Sequence, residues 1–314
     1  MKAYSTIIEV SNYPEFRRVV DAVSSLNPLQ KKRIFAHISS QPVDYWIEAE
    51  RICKELKNSF FQNDEYLLTS AKAYNRMTTD FLKEQIRFKK TGTYLLDSAD
   101  AARIDVYENE EVMRYYMIGL CISYLLWPNH YRMYHFFNRF LATSSEISRY
   151  LDVAPGHGLF AAQVIRKHPG VQATLVDISQ TSLSVSKDLL LSFGIQENQY
   201  QTVLGDFLKI GIAKDKFDFI SMGEVLEHVE NPLDFLKKAS NLLGSNGRIF
   251  MTTCSNAPAI DHIYHFHNSE EIRSLIRDSG LRIILEESIP AENVPEELCE
   301  QERVTVNYCC ILQK

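Results

Sequence analysis

The second half of the chain alternates short β-rich runs with helical stretches, and this alternation restricts the possible folds more than any other feature. From about residue 150, amphipathic stretches separate five β-rich runs: RYLDVA, ATLVD, QTVLGD, FDFISMG and RIFMTT. Such alternation is typical of a doubly wound sheet that has parallel strands and helices on both faces. The sequence therefore predicts an α/β, Rossmann-like fold for residues 146–314.

The end of the chain departs from this alternation. LRIILEES and RVTVNYCCIL are two strand-like runs, and no helical pattern is expected between them. Consecutive strands that lack a helical crossover pair in antiparallel fashion. We therefore expect an antiparallel pair at one edge of the sheet, which brings the number of strands to seven.

Residues 1–145 are predicted to form an all-α region. Apolar residues recur at spacings of three and four in EFRRVVDAVSSL, VDYWIEAERICKEL and RMTTDFLKEQIRF. Pro14, Pro28 and Pro42 lie where helices are expected to begin, since the first turn of a helix tolerates proline. Little linker sequence separates this region from the first strand, so we expect the two parts to pack together, with the helices forming a cap.

Charge and apolar patterning limit the kinds of partner. The formal net charge is -6, whereas proteins that grip a nucleic-acid backbone usually present a basic face. The basic clusters 31–33 and 89–90 are short, so we expect no nucleic-acid partner. No apolar run reaches the ~20 residues that cross a membrane, and Met1–Val10 lacks the pattern of a signal peptide.

The six cysteines are scattered and include no CxxC pair. This usage indicates free thiols in a reducing cytoplasm rather than a disulfide framework or a zinc site.

LDVAPGHGLF, residues 151–160, places a glycine turn between the first strand and the next helix. Gly156, Gly158 and Ala161 match the G-x-G-x-x-A pattern of nucleotide-binding folds, in which this turn lies over the switch point of the sheet. His157, between the glycines, is expected to be a loop residue rather than a catalyst. The pattern alone suits a dinucleotide as well as other ribose-bearing ligands.

Three acidic residues end the first three strands of this region: Asp152, Asp177 and Asp206. A nicotinamide dinucleotide brings a negatively charged pyrophosphate, which favours bare backbone N–H groups. S-adenosyl-L-methionine (SAM) has no phosphate and carries a sulfonium and an ammonium, both of which carboxylates attract. The acids therefore favour SAM over a dinucleotide.

Two motifs in residues 150–314 resemble those of the class I SAM-dependent methyltransferases. The run Asp152-Val-Ala-Pro-Gly-His-Gly158 is similar to the acid-x-Gly-x-Gly-x-Gly motif of that family, with Ala154 in place of the first glycine. GEVLEHVENP, residues 223–232, is similar to the segment after the fourth strand in many small-molecule members. The resemblance implies a Rossmann-like seven-stranded methyltransferase sheet, SAM as the cofactor and an N-terminal helical cap.

The resemblance also implies roles for individual residues. Asp177 would bind the ribose hydroxyls, Asp206 and Phe207 would hold the adenine, and the methyl group of Ala154 could crowd the amino-acid end of the cofactor. The predicted cofactor-binding residues are Asp152, Ala154, Gly156, Gly158, Asp177, Ile178, Asp206, Phe207, Gly223 and Glu224.

Methyl transfer from a sulfonium is an in-line displacement, so the protein must chiefly align the reacting atoms. A general base helps when the acceptor is a hydroxyl or a protonated amine, and histidine most often serves. We predict three catalytic candidates: His228 after the fourth strand, His262 in DHIYHFHNSEE after the fifth, and Tyr131 in the aromatic LLWPNHYRMYHFF of the cap.

The same region offers a set of metal ligands as an alternative. The segment Glu224-x-x-Glu227-His228, with His262, could hold a divalent ion. No fixed ligand spacing is evident, however, and both glutamates could be solvated, so we predict no metal.

These patterns together predict a cytoplasmic enzyme that transfers a methyl group from SAM to an oxygen or nitrogen of a small metabolite. One alternative is other SAM chemistry on the same fold: transfer of the 3-amino-3-carboxypropyl group, or cyclisation of SAM with release of methylthioadenosine. A second alternative is a catalytically silent SAM-binding protein. The sequence leaves both a monomer and a homodimer open.

Overall fold

A computed structural model of the chain describes residues 12–211 and 216–314. The expectation for Met1–Val10 lies outside the described residues. Within them, no helix is long and apolar enough to cross a membrane. All six cysteines are free, as predicted, and the structure shows that all six are buried.

The N-terminal region is helical, as predicted. Pro14 and Pro28 are the first residues of their helices, and Pro42 directly precedes the third. A π-helical turn, Arg103–Tyr107, continues the short fifth helix. The helices are α1 (Pro14–Leu26), α2 (Pro28–Ser39), α3 (Val43–Leu56), α4 (Asp64–Thr91), α5 (Ala99–Ala102), α6 (Glu110–Leu126) and α7 (Pro128–Thr143).

The second half forms one seven-stranded sheet, and each predicted strand is confirmed. The strands are β1 (Arg149–Val153), β2 (Gln172–Asp177), β3 (Tyr200–Leu204), β4 (Phe217–Gly223), β5 (Leu243–Ser255), β6 (Arg282–Pro290) and β7 (Val306–Gln313). Their order is β3-β2-β1-β4-β5-β7-β6. The first five are parallel, and β7 runs antiparallel to both β5 and β6.

In the described part of the chain, five α-helices connect these strands: α8 (Leu159–Lys167), α9 (Gln180–Ser192), α10 (Pro232–Leu242), α11 (Ser269–Asp278) and α12 (Glu296–Glu302). The expectation of no helix between the last two strands is wrong, because α12 lies between β6 and β7. This helix has seven residues and buries only Cys299, so it leaves no apolar periodicity in the sequence.

Strands β1 to β3 extend the sheet to one side and β4 and β5 extend it to the other. The carboxyl ends of β1 and β4 therefore form the switch point at which doubly wound sheets bind ligands. Directly after β1, β4 and β5, a non-glycine residue adopts the left-handed conformation: Ala154 (φ 54°), Glu224 (φ 52°) and Asn256 (φ 50°). Such conformations cost energy and cluster at functional sites. The backbone strain therefore marks this edge of the sheet.

The helical cap packs on one face of the sheet. Phe137 of α7 is fully buried, with its ring centroid 4.8 Å from that of Phe160 on α8 and 4.7 Å from that of Phe250 on β5. These residues belong to one apolar cluster that includes both cap helices and strands. The two parts pack together, whereas the domain boundary at 145/146 stays a prediction.

We predict that Phe137→Ala lowers the free energy of unfolding by about 3–5 kcal/mol, since it leaves a cavity between cap and sheet. Urea unfolding followed by circular dichroism measures this change. The control is Phe35→Ala on α2, where a 40% exposed ring should cost about 0.5 kcal/mol or less. Equal effects of the two substitutions would contradict the shared core.

Candidate active site

A cavity of about 1610 Å³ lies over the carboxyl ends of β1, β2 and β4 and reaches up to α2, α4, α6 and α7 of the cap. Pockets for a single drug-sized ligand usually measure ~300–1,000 Å³. The cavity therefore has room for two ligands. Nine of the ten predicted cofactor-binding residues line it, all except Gly158.

The glycine turn after β1 forms part of the cavity wall. Gly156 (φ 58°) and Gly158 (φ 83°) have left-handed backbones, and a Cβ on Gly158 would lie 3.1 Å from Cα of Ser186. The Ser186 hydroxyl donates to the Gly156 carbonyl at 2.8 Å. Ala154 adopts the same conformation at a cost of roughly 1–2 kcal/mol. The turn thus needs its glycines and tolerates alanine at the first position with strain.

Asp152 is almost fully buried at the end of β1. Its Oδ1 accepts from the Ser221 hydroxyl at 2.5 Å, and Ser221 in turn lies 2.5 Å from the Tyr150 hydroxyl. Among the described residues, Oδ2 has no hydrogen-bond partner. Burial raises the pKa of this carboxyl to about 7. The folded chain therefore compensates the ionised form only in part.

Asp177 ends β2 on the same side of the sheet. Its two carboxylate oxygens accept from the Ser179 backbone N–H at 2.8 Å and from the Ser182 hydroxyl at 2.5 Å. Burial outweighs these bonds and raises the pKa to about 6. Two fixed donors hold the carboxylate in place, and the remaining lone pairs can accept from ligand hydroxyls.

The loop after β3 contributes a more exposed part of the wall. Asp206 accepts from the Leu208 backbone N–H at 2.9 Å and forms an ion pair with Lys209 at 3.0 Å. The ring of Phe207 is buried, with its centroid 5.4 Å from that of Phe235. Ile178, across the cavity edge, is 43% exposed. This corner offers apolar faces to a flat ring.

The end of β4 supplies Gly223 and Glu224. A Cβ on Gly223 would lie 2.9 Å from Cε2 of Phe160, which explains the glycine. The Glu224 carboxyl accepts from the side-chain N–H of Asn307 at 3.1 Å. Burial, and then the neighbouring Glu227, raise the pKa of Glu224 well above its ordinary value. This carboxyl is therefore poorly compensated as an anion.

His228 lies beside a buried aspartate at the cavity wall. Its Nδ1 is 3.2 Å from the carbonyl oxygen of Asp261, 3.4 Å from Oδ2 of the same residue and 3.0 Å from the Tyr107 hydroxyl. Because carbonyl and carboxylate oxygens only accept, Nδ1 carries the hydrogen and Nε2 carries the lone pair. Among the described residues, no group bonds Nε2. Its geometry is that of a base held by a carboxylate.

The two other catalytic candidates lie in different surroundings. His262 is buried in the cavity wall, donates from Nδ1 to the Ala257 carbonyl at 2.6 Å and has its ring centroid 4.6 Å from that of His228. Burial, with a contribution from His228, lowers its pKa well below the ordinary value. Tyr131 does not line the cavity and packs edge-on against Tyr45 at 4.7 Å. The geometry gives no support to a catalytic role for Tyr131.

Two overlapping groups of side chains could hold a metal ion. Glu227, Cys254 and His262 place ligand atoms within 4.8 Å of one another, and so do His228, Asp261 and His262. Glu227 also accepts from the Thr253 hydroxyl at 2.7 Å. The possible metal ligands considered from the sequence differ from these groups, because they included Glu224, which belongs to neither group. We propose no metal at this site.

Several residues of the site carried no signal that sequence reasoning could use. Asp261 directly precedes His262, but only the fold shows that it contacts His228. Tyr116 on α6 donates to Asp261 Oδ1 at 3.3 Å from a sequence distance of 145 residues. Tyr107 lies in a π-helical turn, which has no sequence signature here. Ser182 follows Asp177 by five residues, but only the fold shows that its hydroxyl donates to that carboxylate.

Comparison with known proteins gives a consistent result. The profile of the family described as "Methyltransferase domain" matches residues 128–287, about half of the chain. The chain is 29% identical over 110 residues to the ubiquinone biosynthesis O-methyltransferase of Aeromonas salmonicida, covering 35% of this chain and 44% of that protein. It is 28% identical over 165 residues to the enzyme of that name in Xanthomonas euvesicatoria, covering 46% and 67%.

The chain thus spans about half the length of the curated relatives it matches. Among solved structures, the N-methyltransferase NodS from Bradyrhizobium japonicum in complex with S-adenosyl-L-homocysteine aligns with a TM-score of 0.44 and 12% identity. That alignment covers 60% of this chain and 89% of NodS. Because the family model matches half of the chain, and the sheet has the seven strands described above, the chain belongs to the methyltransferase domain family.

Proposed function

We propose that this enzyme transfers the methyl group of SAM to a hydroxyl oxygen of a small molecule, and that His228 acts as the general base. The observation that carries this proposal is the pairing of His228 with the buried Asp261 at the cavity wall. A hydroxyl is a weak nucleophile until a base takes its proton. A histidine whose Nε2 is free and whose Nδ1 is held by an acid suits that task.

The chain's own residues would handle the proton. As the acceptor oxygen bonds to the methyl carbon, the carbon–sulfur bond breaks and its electron pair stays on sulfur. His228 takes the hydroxyl proton at Nε2 and releases it to solvent afterwards. Asp261, which also accepts from Tyr116, holds the imidazole in place and stabilises its charged form.

The cofactor would lie along the switch point, where its sulfonium makes the methyl group electrophilic. We assign the ribose hydroxyls to Asp177, the adenine to Asp206 and Phe207, and the amino-acid end to the turn 154–158. The wall charges support this placement. Buried carboxyls surround the cavity, whereas Arg33 and Lys209 are the cations that line it within the described residues. A cationic nucleoside fits such a wall better than an anionic dinucleotide.

Two observations support a flat, apolar hydroxyl compound as the acceptor. Phe81 on α4 stacks on Tyr116 at 5.8 Å and meets Trp127 edge-on at 5.5 Å, and all three line the cavity. Aromatic walls of this kind favour aromatic ligands. The curated relatives are named as O-methyltransferases, which supports oxygen over nitrogen.

The size of the cavity bears on the alternative SAM chemistries. Cyclisation of SAM would be favoured by a closed cage without room for a second molecule. The volume of about 1610 Å³ exceeds the usual range for one ligand. The space supports methyl transfer to a separate acceptor.

A product analysis tests the proposed reaction. We expect S-adenosylhomocysteine to appear by mass spectrometry only when the protein receives SAM together with a small-molecule cell extract. His228→Ala should lower this rate ~100-fold or more, and Asp261→Asn should lower it strongly too, while SAM binding by calorimetry stays within about twofold. His135→Ala, at an exposed position on α7, is the control and should keep full activity.

Each other outcome of that analysis has a definite meaning. Methylthioadenosine formed without extract, above the no-enzyme background, would refute methyl transfer in favour of the alternative chemistry. Binding of SAM without any product would indicate a silent protein. Full activity of His228→Ala would remove its assignment as the base.

We predict that SAM affinity falls as the pH drops below about 7. Burial raises the pKa of Asp152 to about 7 and of Asp177 to about 6, so both lose their charge in the free protein under acid conditions. Binding a cation then requires release of a proton. Calorimetry from pH 5.5 to 8 should show affinity rising with pH and levelling off near 8, with a smaller slope for Asp152→Asn. A flat profile for the wild-type protein would contradict this.

A further inference from the structure

His157 lies between the two glycines of the turn after β1, and its ring is part of the cavity wall. The side chain is only 6% exposed. Its ring meets that of Tyr124 on α6 edge-on at 5.3 Å, so the cap holds the plane of the imidazole. A histidine fixed in this way differs from an ordinary loop residue.

The tautomer of His157 follows from its hydrogen bond. The backbone N–H of Leu159 donates to Nδ1 at 3.2 Å. Since this nitrogen accepts, the hydrogen of the neutral ring must be on Nε2. Burial lowers the pKa of the ring to about 3, so the ring is neutral at physiological pH. His157 therefore offers one N–H donor, in a fixed direction.

That donor has no acceptor among the described residues. Nε2 is also not one of the fully enclosed polar atoms, unlike Nε2 of the buried His37. It therefore opens onto the cavity that the ring lines. Buried donors are nearly always satisfied in native proteins, by the chain, by water or by a ligand. The open Nε2–H of His157 points to an acceptor atom on a ligand.

The residues around His157 indicate which group of a ligand could accept its hydrogen bond. Two backbone N–H groups of the turn are already used: that of Ala154 donates to the Val176 carbonyl and that of Gly158 to the Pro155 carbonyl, both at 2.8 Å. The Leu159 N–H is taken by His157 itself. Most charged side chains of the wall are carboxyls, which repel an anion. A carboxylate bound near this turn would therefore depend on the few donors that remain, and the side chain of His157 provides one.

We propose that Nε2–H of His157 donates to the carboxylate of SAM and thereby selects ligands with an intact amino-acid end. This inference rests on the cofactor placement proposed above, which puts that end at the turn 154–158. His157 is thus a cofactor-binding residue that recognises an anion without carrying charge. A neutral donor is suited to this wall, since a cation there would repel the sulfonium.

The test compares SAM with decarboxylated SAM, which lacks only the carboxylate. Calorimetry gives the ratio of their dissociation constants for the wild type and for His157→Phe, which keeps a flat ring without a donor. We expect the preference for SAM to fall about 10- to 100-fold in His157→Phe, the effect of losing one hydrogen bond to a charged group. His157→Gln, which keeps an amide N–H, should restore part of it.

This comparison separates recognition from structure. His157→Phe also loses the bond to Leu159, and a merely structural effect would weaken both ligands equally and leave the ratio unchanged. An unchanged ratio would overturn the proposal, and His135→Phe serves as the surface control. A wild-type protein that bound neither ligand would instead refute the cofactor placement itself.

Discussion

Buried carboxyls around one cavity are the constraint on which the rest of this structure depends. Asp152, Asp177, Glu224 and Asp261 all lie in the wall, and burial raises the pKa of each. An uncompensated buried charge is costly, so such groups need partners that the folded chain only partly supplies. We propose that a cationic ligand, SAM, supplies the missing partner. The site therefore holds buried carboxyls for which the folded chain supplies too little positive charge.

The helical cap makes this electrostatic arrangement effective. α6 and α7 pack on the sheet through an aromatic core, and the same helices close the cavity over the strand ends. A wall of packed side chains lowers the local dielectric constant, which strengthens the attraction between a buried carboxyl and a bound cation. The cap also brings Tyr107 and Tyr116 to the pair of His228 and Asp261. One set of packed helices therefore serves both binding and the proposed proton transfer.

The sheet could be predicted well because its strands alternate with helices. A strong hydrophobic period of this kind can be recognised from the sequence alone. The short α12 was missed because a helix of seven residues with one buried side chain shows no hydrophobic period. Asp152 and Asp177 were found because strand ends of a doubly wound sheet meet at one edge. The partner of His228, Asp261, could not be found, since their contact depends on how two loops fold together.

The sequence also did not predict which side chains of the cap face the cavity. Its helices were predictable, but the direction that each aromatic side chain takes was not, because an aromatic stripe is compatible with core and cavity alike. Tyr131 packs on Tyr45 away from the cavity, whereas Tyr124, one helix earlier, lines it. Helix packing determines which side chains face the cavity, and a single sequence does not specify that packing.

The central claim is that the acidic switch point binds SAM, and calorimetry of Asp177→Ala tests it most directly. Asp177 is the buried carboxylate fixed by Ser179 and Ser182, and its removal would leave the ribose hydroxyls without their proposed acceptor. Asp188→Ala, at an exposed position on α9, is the matched control. The account predicts a loss of SAM affinity of roughly 10-fold or more for Asp177→Ala and none for the control. Unchanged affinity of Asp177→Ala would contradict the account.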